Sequence, residues 1–190
     1  MRVAKPVDLD RMSQVLAKGA CPICAFLKND QAALLRGELR PDQVTALCNF
    51  HAWALAAAVD RNSVAQIFLN VLNHKPSEGA GAADSCSVCS HLVQREVIHI
   101  KDLIQQMNDR AVHDWMKGEG TFCRLHANHL RQLAPSKLHP TIDAIAERST
   151  RSLQTDLENL LRRSDSGMGT GGGVLGRAAE FLVSQRGINR

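Results

Sequence analysis

The sequence has no tyrosine, and aromatic residues fill only 4% of its 190 positions. A core must therefore be assembled from Leu, Ile, Val, Ala and Met, which suits helices better than sheets. No segment alternates apolar and polar residues as a half-buried strand would. No stretch approaches the ~18 consecutive apolar residues that span a membrane. The opening MRVAKPVDLDRMSQVLAKGA lacks the apolar core of a signal peptide. A cytoplasmic protein without membrane contact is expected. Like charge does not run together either. The formal charge of +4 is dispersed along the chain, which weighs against a phosphate-binding face and so against nucleic acid.

What the chain does have is an internal repeat of cysteine motifs. CPICAFL (Cys21–Leu27) matches CSVCSHL (Cys86–Leu92), and LCNFHAWAL (Leu47–Leu55) matches FCRLHANHL (Phe122–Leu130). Each half thus runs C-x2-C, a spacer, then C-x2-H; the spacers are 23 and 33 residues long. All six cysteines belong to this scheme. In a reducing compartment such thiols are ligands more readily than disulfides.

Around the motifs the texture is helical, and the fold class expected is all-α. AFLKNDQAALLRGEL follows Cys24, and Pro41-Asp42 opens a second helix carrying Cys48 and His51. Asn62 or Ser63 caps a third, ending before Pro76. Val93, Val97, Ile100, Ile104 and Met107 form one apolar stripe. Gly118 and Gly120 mark a turn before the helix bearing Cys123 and His126. Ile142, Ile145, Leu153, Leu157 and Leu160 define a long helix. The expected order is a first metal-binding helical repeat (1–74), a linker (75–85) and a second repeat with the long helix (86–163). A Gly-rich linker (164–173) and a C-terminal amphipathic helix (174–190) complete it.

Zinc takes four ligands tetrahedrally from thiolate sulfur and imidazole nitrogen. C-x2-C turns both sulfurs toward one ion, often at a helix N-terminus where the dipole favours thiolate. C-x2-H on a helix places its two side chains on one face. Two zinc ions are therefore expected, each held by three cysteines and one histidine. In-repeat pairing gives one site of Cys21, Cys24, Cys48 and His51, and another of Cys86, Cys89, Cys123 and His126. The alternative joins Cys21 and Cys24 to Cys123 and His126. Loop-closure entropy ranks it second, because the in-repeat spans are shorter. Loading two ions onto six thiolates takes the formal charge from +4 to about +2.

Other candidates carry plainer readings. His129 could compete with His126, but Ala54 stands at its counterpart in the first repeat. His74, His91, His99, His113 and His139 have no counterparts and read as surface or partly packed side chains. Trp53 and Trp115 read as core or interface anchors. The Gly-rich run lacks the G-K-[ST] ending of a phosphate loop. A thioredoxin-type redox pair would need a βαβ context.

CPIC, LCNFHAWAL, FCRLHANHL and the C-terminal LLRRSD…GVLGRAAEFLV together resemble a bacterial family, of unknown function, with duplicated C-x2-C/C-x2-H motifs. Leu175 stands about where that family has Trp, and Ser87 replaces the Pro after the third cysteine. The resemblance implies metal binding and supplies no activity. Closed four-protein ligand sets argue against a hydrolytic centre. The leading expectation is a non-enzymatic, zinc-stapled helical scaffold that binds another protein. Alternatives are an iron–sulfur or thiol-based redox sensor and a nucleic-acid-binding regulator.

Overall fold

A computed structural model describes residues 21–38, 40–57, 60–74, 86–164 and 172–183. The linker expected at 75–85 lies outside them, as do residues 165–171 of the Gly-rich stretch. Among the described residues the fold is all-α. Eight α-helices follow one another: α1 (Pro22–Ala33), α2 (Asn49–Ala56), α3 (Arg61–Asn73) and α4 (Ser87–Gln106), then α5 (Arg110–Lys117), α6 (Arg124–Leu133), α7 (His139–Ser164) and α8 (Gly172–Val183). A π-turn (Leu34–Glu38) and two short 3-10 turns (Pro41–Gln43, Ser136–Leu138) interrupt them. The long helix thus reaches Ser164, and α8 already begins at Gly172.

The chain forms two compact units that are not successive halves. Among the described residues one, called here the flanking unit, takes in 21–26 and 98–183; the other, the inserted unit, lies within 27–97. Helix α1 starts in the flanking unit and ends in the inserted one, and α4 makes the return.

In the inserted unit, Leu34, Val44, Leu55, Ile67, Val88 and Leu92 pack in one buried cluster with Cys48, Cys86 and Cys89. Two local devices shape it. Asp60, rather than Asn62 or Ser63, caps α3, its carboxylate accepting from the Asn62 and Ser63 amides. Pro41-Asp42 opens only one 3-10 turn; Val44 to Cys48 then have no helical structure, and α2 starts at Asn49. The Asn70 amide holds this connection by donating to the carbonyls of Pro41 (3.0 Å) and Val44 (2.8 Å).

The flanking unit is built on α7, which packs against α5, α6 and α8. Ile100, Leu103, Met107, Met116, Phe122, Leu130, Ile142 and Ile145 are all but inaccessible to solvent. Each such side chain contributes about 1.5–3 kcal/mol by leaving water. His99 is also buried, stacked on Phe26 with ring centroids 5.0 Å apart, so it is a core residue and not a surface histidine. Trp115 meets Phe122 edge-on at 5.9 Å, whereas Trp53 is 73% exposed and anchors no core.

The face that α4 buries differs from the expected stripe. Val93 and Val97 are exposed, while Leu92, Glu96, His99, Ile100, Leu103 and Met107 turn inward. These positions lie three, seven, ten, eleven, fourteen and eighteen residues after Cys89, on the helical period set by that cysteine. Cys24 sets α1 in the same way: Leu27, Gln31 and Leu34 are buried. The inward cysteines fix the rotation of both helices, and apolarity alone misplaces it wherever a buried position is polar.

Candidate metal centres

All four motifs adopt one local structure. Cys48 and Cys123 are the N-cap residues of α2 and α6, with extended backbones. Cys21 and Cys86 immediately precede α1 and α4. Each first cysteine's carbonyl accepts the first helical hydrogen bond, from Ala25 (3.1 Å), Ala52 (3.0 Å), Ser90 (2.9 Å) and Ala127 (2.9 Å). The second motif residue, Cys24, His51, Cys89 or His126, is then the third residue of its helix. C-x2-H is therefore not a pair within a helix, as expected from the sequence. It repeats the C-x2-C geometry, with a sulfur where Ser or Asp usually caps and the partner one turn on. Cys123 Sγ accepts from the His126 amide (3.4 Å) as such a cap does.

The four pairs converge two by two. Cys21, Cys24, Cys123 and His126 form one cluster; Cys48, His51, Cys86 and Cys89 form the other, with all donor atoms in each within 4.8 Å of one another. The preferred in-repeat pairing is thus corrected to the cross-repeat one. Every cluster takes C-x2-C from one repeat and C-x2-H from the other. The first lies within the flanking unit and the second within the inserted unit.

Two physical reasons explain the exchange of partners. The entropy difference is small: nesting one loop inside the other costs only about 1 kcal/mol more than closing them separately. Rigid helices also intervene. The nine residues of α1 after Cys24 carry the chain about 13 Å from it, and the seventeen residues of α4 after Cys89 carry it about 25 Å. A flexible-chain estimate does not apply to such spacers.

Donor spacing matches a single tetrahedral ion. Metal–sulfur bonds of ~2.3 Å and metal–nitrogen bonds of ~2.0 Å require sulfur–sulfur edges of about 3.8 Å and sulfur–nitrogen edges of about 3.5 Å. Cys24 and Cys123 sulfurs are 3.7 Å apart, and those of Cys48 and Cys89 3.8 Å. His126 Nδ1 stands 3.4, 3.3 and 3.1 Å from the sulfurs of Cys21, Cys24 and Cys123. His51 Nδ1 stands 3.3, 3.5 and 3.4 Å from those of Cys48, Cys86 and Cys89. None of the six sulfurs is in a disulfide; the separations are far from the ~2.05 Å of an S–S bond. Nδ1 is the nitrogen presented in both clusters. His129 stays outside the first, its ring centroid 6.5 Å from that of His126.

Electrostatics agree with an ion at each centre. Three thiolates and a divalent cation leave one net negative charge, in a largely buried place. Two helix N-termini face it, each worth roughly half a positive charge, so the residual is close to neutralised. In the flanking cluster without metal, hydrogen bonds from Cys21 and Cys24, then His126, hold the Cys123 thiol far below its ordinary range. Burial pushes Cys21 up. His51 is lowered by burial, which keeps its imidazole neutral as a ligand must be.

Residues beyond the motifs hold the ligand loops. The Arg148 guanidinium donates to the carbonyls of Met116 (2.6 Å), Lys117 (3.0 Å) and Gly120 (2.9 Å), locking the turn that leads to Cys123. Gly120 admits no side chain there: a Cβ would come within 2.9 Å of Met116 Cα. Ser149 Oγ accepts from the Phe122 amide at 3.4 Å. In the inserted unit, the Ser87 amide donates to Ala46 (3.0 Å) and its hydroxyl accepts from Thr45 (3.1 Å). A proline at this position could not make the first bond, since it has no N–H to give. The Gln31 side-chain amide lies 3.3 Å from His51 Nε2. With Nδ1 on a metal, Nε2 keeps its proton and donates to the Gln31 oxygen once that amide is turned to suit. No motif flags Gln31, although its place on the Cys24 face, seven residues on, is legible.

No family model matches the chain, and neither curated proteins nor solved structures yield a match.

Proposed function

We propose that this chain is a zinc protein whose two structural centres staple a helical scaffold for binding another protein, without enzymatic activity. The observation that carries the metal assignment is the donor geometry: eight ligands in two sets of tetrahedral edge length, each at two helix N-termini. Three thiolates and one imidazole suit zinc. Iron–sulfur clusters spread their ligands over different irons, which such close donor spacing disfavours. Four protein ligands leave no position for a reacting water.

Support for a protein partner comes from apolar side chains left outside the inserted unit's core. Trp53 is 73% exposed, Leu69 60% and Leu72 80%, a composition suited to the centre of an interface. No helix among the described residues is long and apolar enough to cross a membrane.

Metal analysis of the protein purified without added metal tests the first part. Two zinc ions per chain and a colourless solution are expected; iron with sulfide would replace this reading by the redox-sensor one. For the second part, native pull-downs compare the wild-type chain with Trp53→Ser/Leu72→Ser. Loss of a specific protein partner supports the scaffold. An unchanged partner list, or retention only of nucleic acid, overturns it.

A further inference from the structure

We infer that the two ions have different roles: the flanking unit's ion is exchangeable through a cleft beside Cys24, while the inserted unit's ion is fixed. This rests on reading both clusters as zinc centres. The clusters have the same donors, so any difference in exchange must come from their surroundings.

Those surroundings differ at the ligands themselves. Seven of the eight donor residues are buried; the half-buried one is Cys24. Cys21, Cys24 and Cys123 line a cleft of about 260 Å³. In the inserted unit, by contrast, Cys48, Cys86 and Cys89 sit inside the hydrophobic cluster with Val44, Leu55 and Leu92. Removing an ion from a tetrahedral thiolate site requires an incoming donor to approach as one ligand leaves. Ligands buried among apolar side chains hinder that approach. The cleft supplies it, at the ligand most able to swing away.

The cleft's chemistry suits a cation. Its walls carry Thr121, Ser149, Ser152 and Asp156 on one side and Arg177 and Glu180 of α8 on the other. Arg177 is tied to Asp156 at 3.0 Å. One guanidinium thus stands against two carboxylates, beside a centre of one net negative charge. A focused negative field raises the local concentration of divalent cations, and Asp156 and Glu180 offer hard oxygen ligands to a hydrated ion in transit. The flanking centre is therefore a site at which a divalent metal is taken up and released.

Exchange of cadmium for zinc tests this on the full chain. Zinc-loaded protein is mixed with excess Cd²⁺ and followed by native mass spectrometry. Two phases of one ion each are expected, at least tenfold apart in rate. An iodoacetamide pulse during chelation by EDTA assigns the fast ion, with Cys21, Cys24 and Cys123 modified before Cys48, Cys86 and Cys89. Ser152→Phe, which fills the cleft from an exposed position on α7, is expected to slow the fast phase severalfold and spare the slow one. A single rate for both ions, earlier labelling of Cys48, Cys86 and Cys89, or an unchanged fast phase in Ser152→Phe overturns the proposal. A protein that arrives without two zinc ions instead overturns the reading on which it rests.

Discussion

The flanking and inserted centres hold the same donors in the same helix-capping geometry, but in different settings. The inserted centre is part of its unit's core: three of its four ligands belong to the cluster built by Val44, Leu55, Ile67 and Leu92. The flanking centre borders a cleft at Cys24, while its Cys21 and Cys123 are buried along with the apolar side chains of its unit. Identical coordination does not imply identical dependence on the ion. A unit whose thiolates lie among its core side chains needs the metal to make that core tolerable, because three buried thiolates without an ion would need protons or water.

The largest expected effect follows. Cys48→Ala is expected to lose one zinc and to destabilise its unit by several kcal/mol, a fraction of the roughly 10–16 kcal/mol that zinc supplies in small finger peptides. Cys24→Ala is also expected to lose one zinc, with a stability loss smaller by about 2 kcal/mol or more, since water can enter at the half-buried ligand. Urea unfolding with zinc quantification checks both. Equal losses would break the comparison at its root.

Much of this was legible in the sequence. The all-helical class followed from composition and from the periodicity of Ile142 and Ile145, and the Cys and His repeat marked the residues that gather into two clusters. The partner exchange was not legible, because loop entropy separates the two pairings by only about 1 kcal/mol while helix stiffness decides between them. Of the stripe expected on α4, Ile100 and Met107 are buried, but its first half is off by one position for a related reason. Glu96 and His99 are buried, and an apolar stripe drawn through Val93 and Val97 cannot include them. Counting from Cys89 instead would have found the face. Gln31, Ser87, Arg148 and Ser149 act through contacts made across many residues, which no local pattern encodes.

The next effect is confined to one centre. Gln31→Leu removes the acceptor that orients His51 through Nε2 and is expected to weaken metal binding 10–100-fold at the inserted centre. The flanking centre should be unchanged, so competition with a chromophoric chelator should show one ion released earlier than in the wild type. Gln31→Glu, which keeps an acceptor, should restore most of the affinity. If both ions loosened together, Gln31 would be acting on the fold and not on the ligand.

A smaller contrast separates the two C-x2-C turns. Ser87→Pro removes an amide and a hydroxyl that bond the segment before Cys48, at about 1 kcal/mol for each lost bond. Pro22→Ser in the flanking unit merely gives up a favoured first-turn proline and should cost under about 1 kcal/mol. Chemical denaturation of the zinc-loaded variants measures both. A Ser87→Pro protein as stable as wild type would mean that these two bonds contribute nothing to holding Cys48 at its centre.

The smallest expected effect is on pH dependence, and it concerns the metal-free chain. Burial lowers the His51 pKa from its ordinary value of 6.5. Above that value the imidazole is neutral in folded and unfolded states alike, so His51 adds no slope. Below it, the unfolded chain takes up a proton that the folded one resists, and stability falls as pH falls. Urea midpoints of the metal-free protein should therefore decline between pH 7 and 5.5, and His51→Gln should flatten His51's share of that decline. In the zinc-loaded chain Nδ1 is occupied, so the same decline should begin only where acid displaces the ion. If the loaded and metal-free proteins show superimposable profiles, His51 Nδ1 is not a ligand.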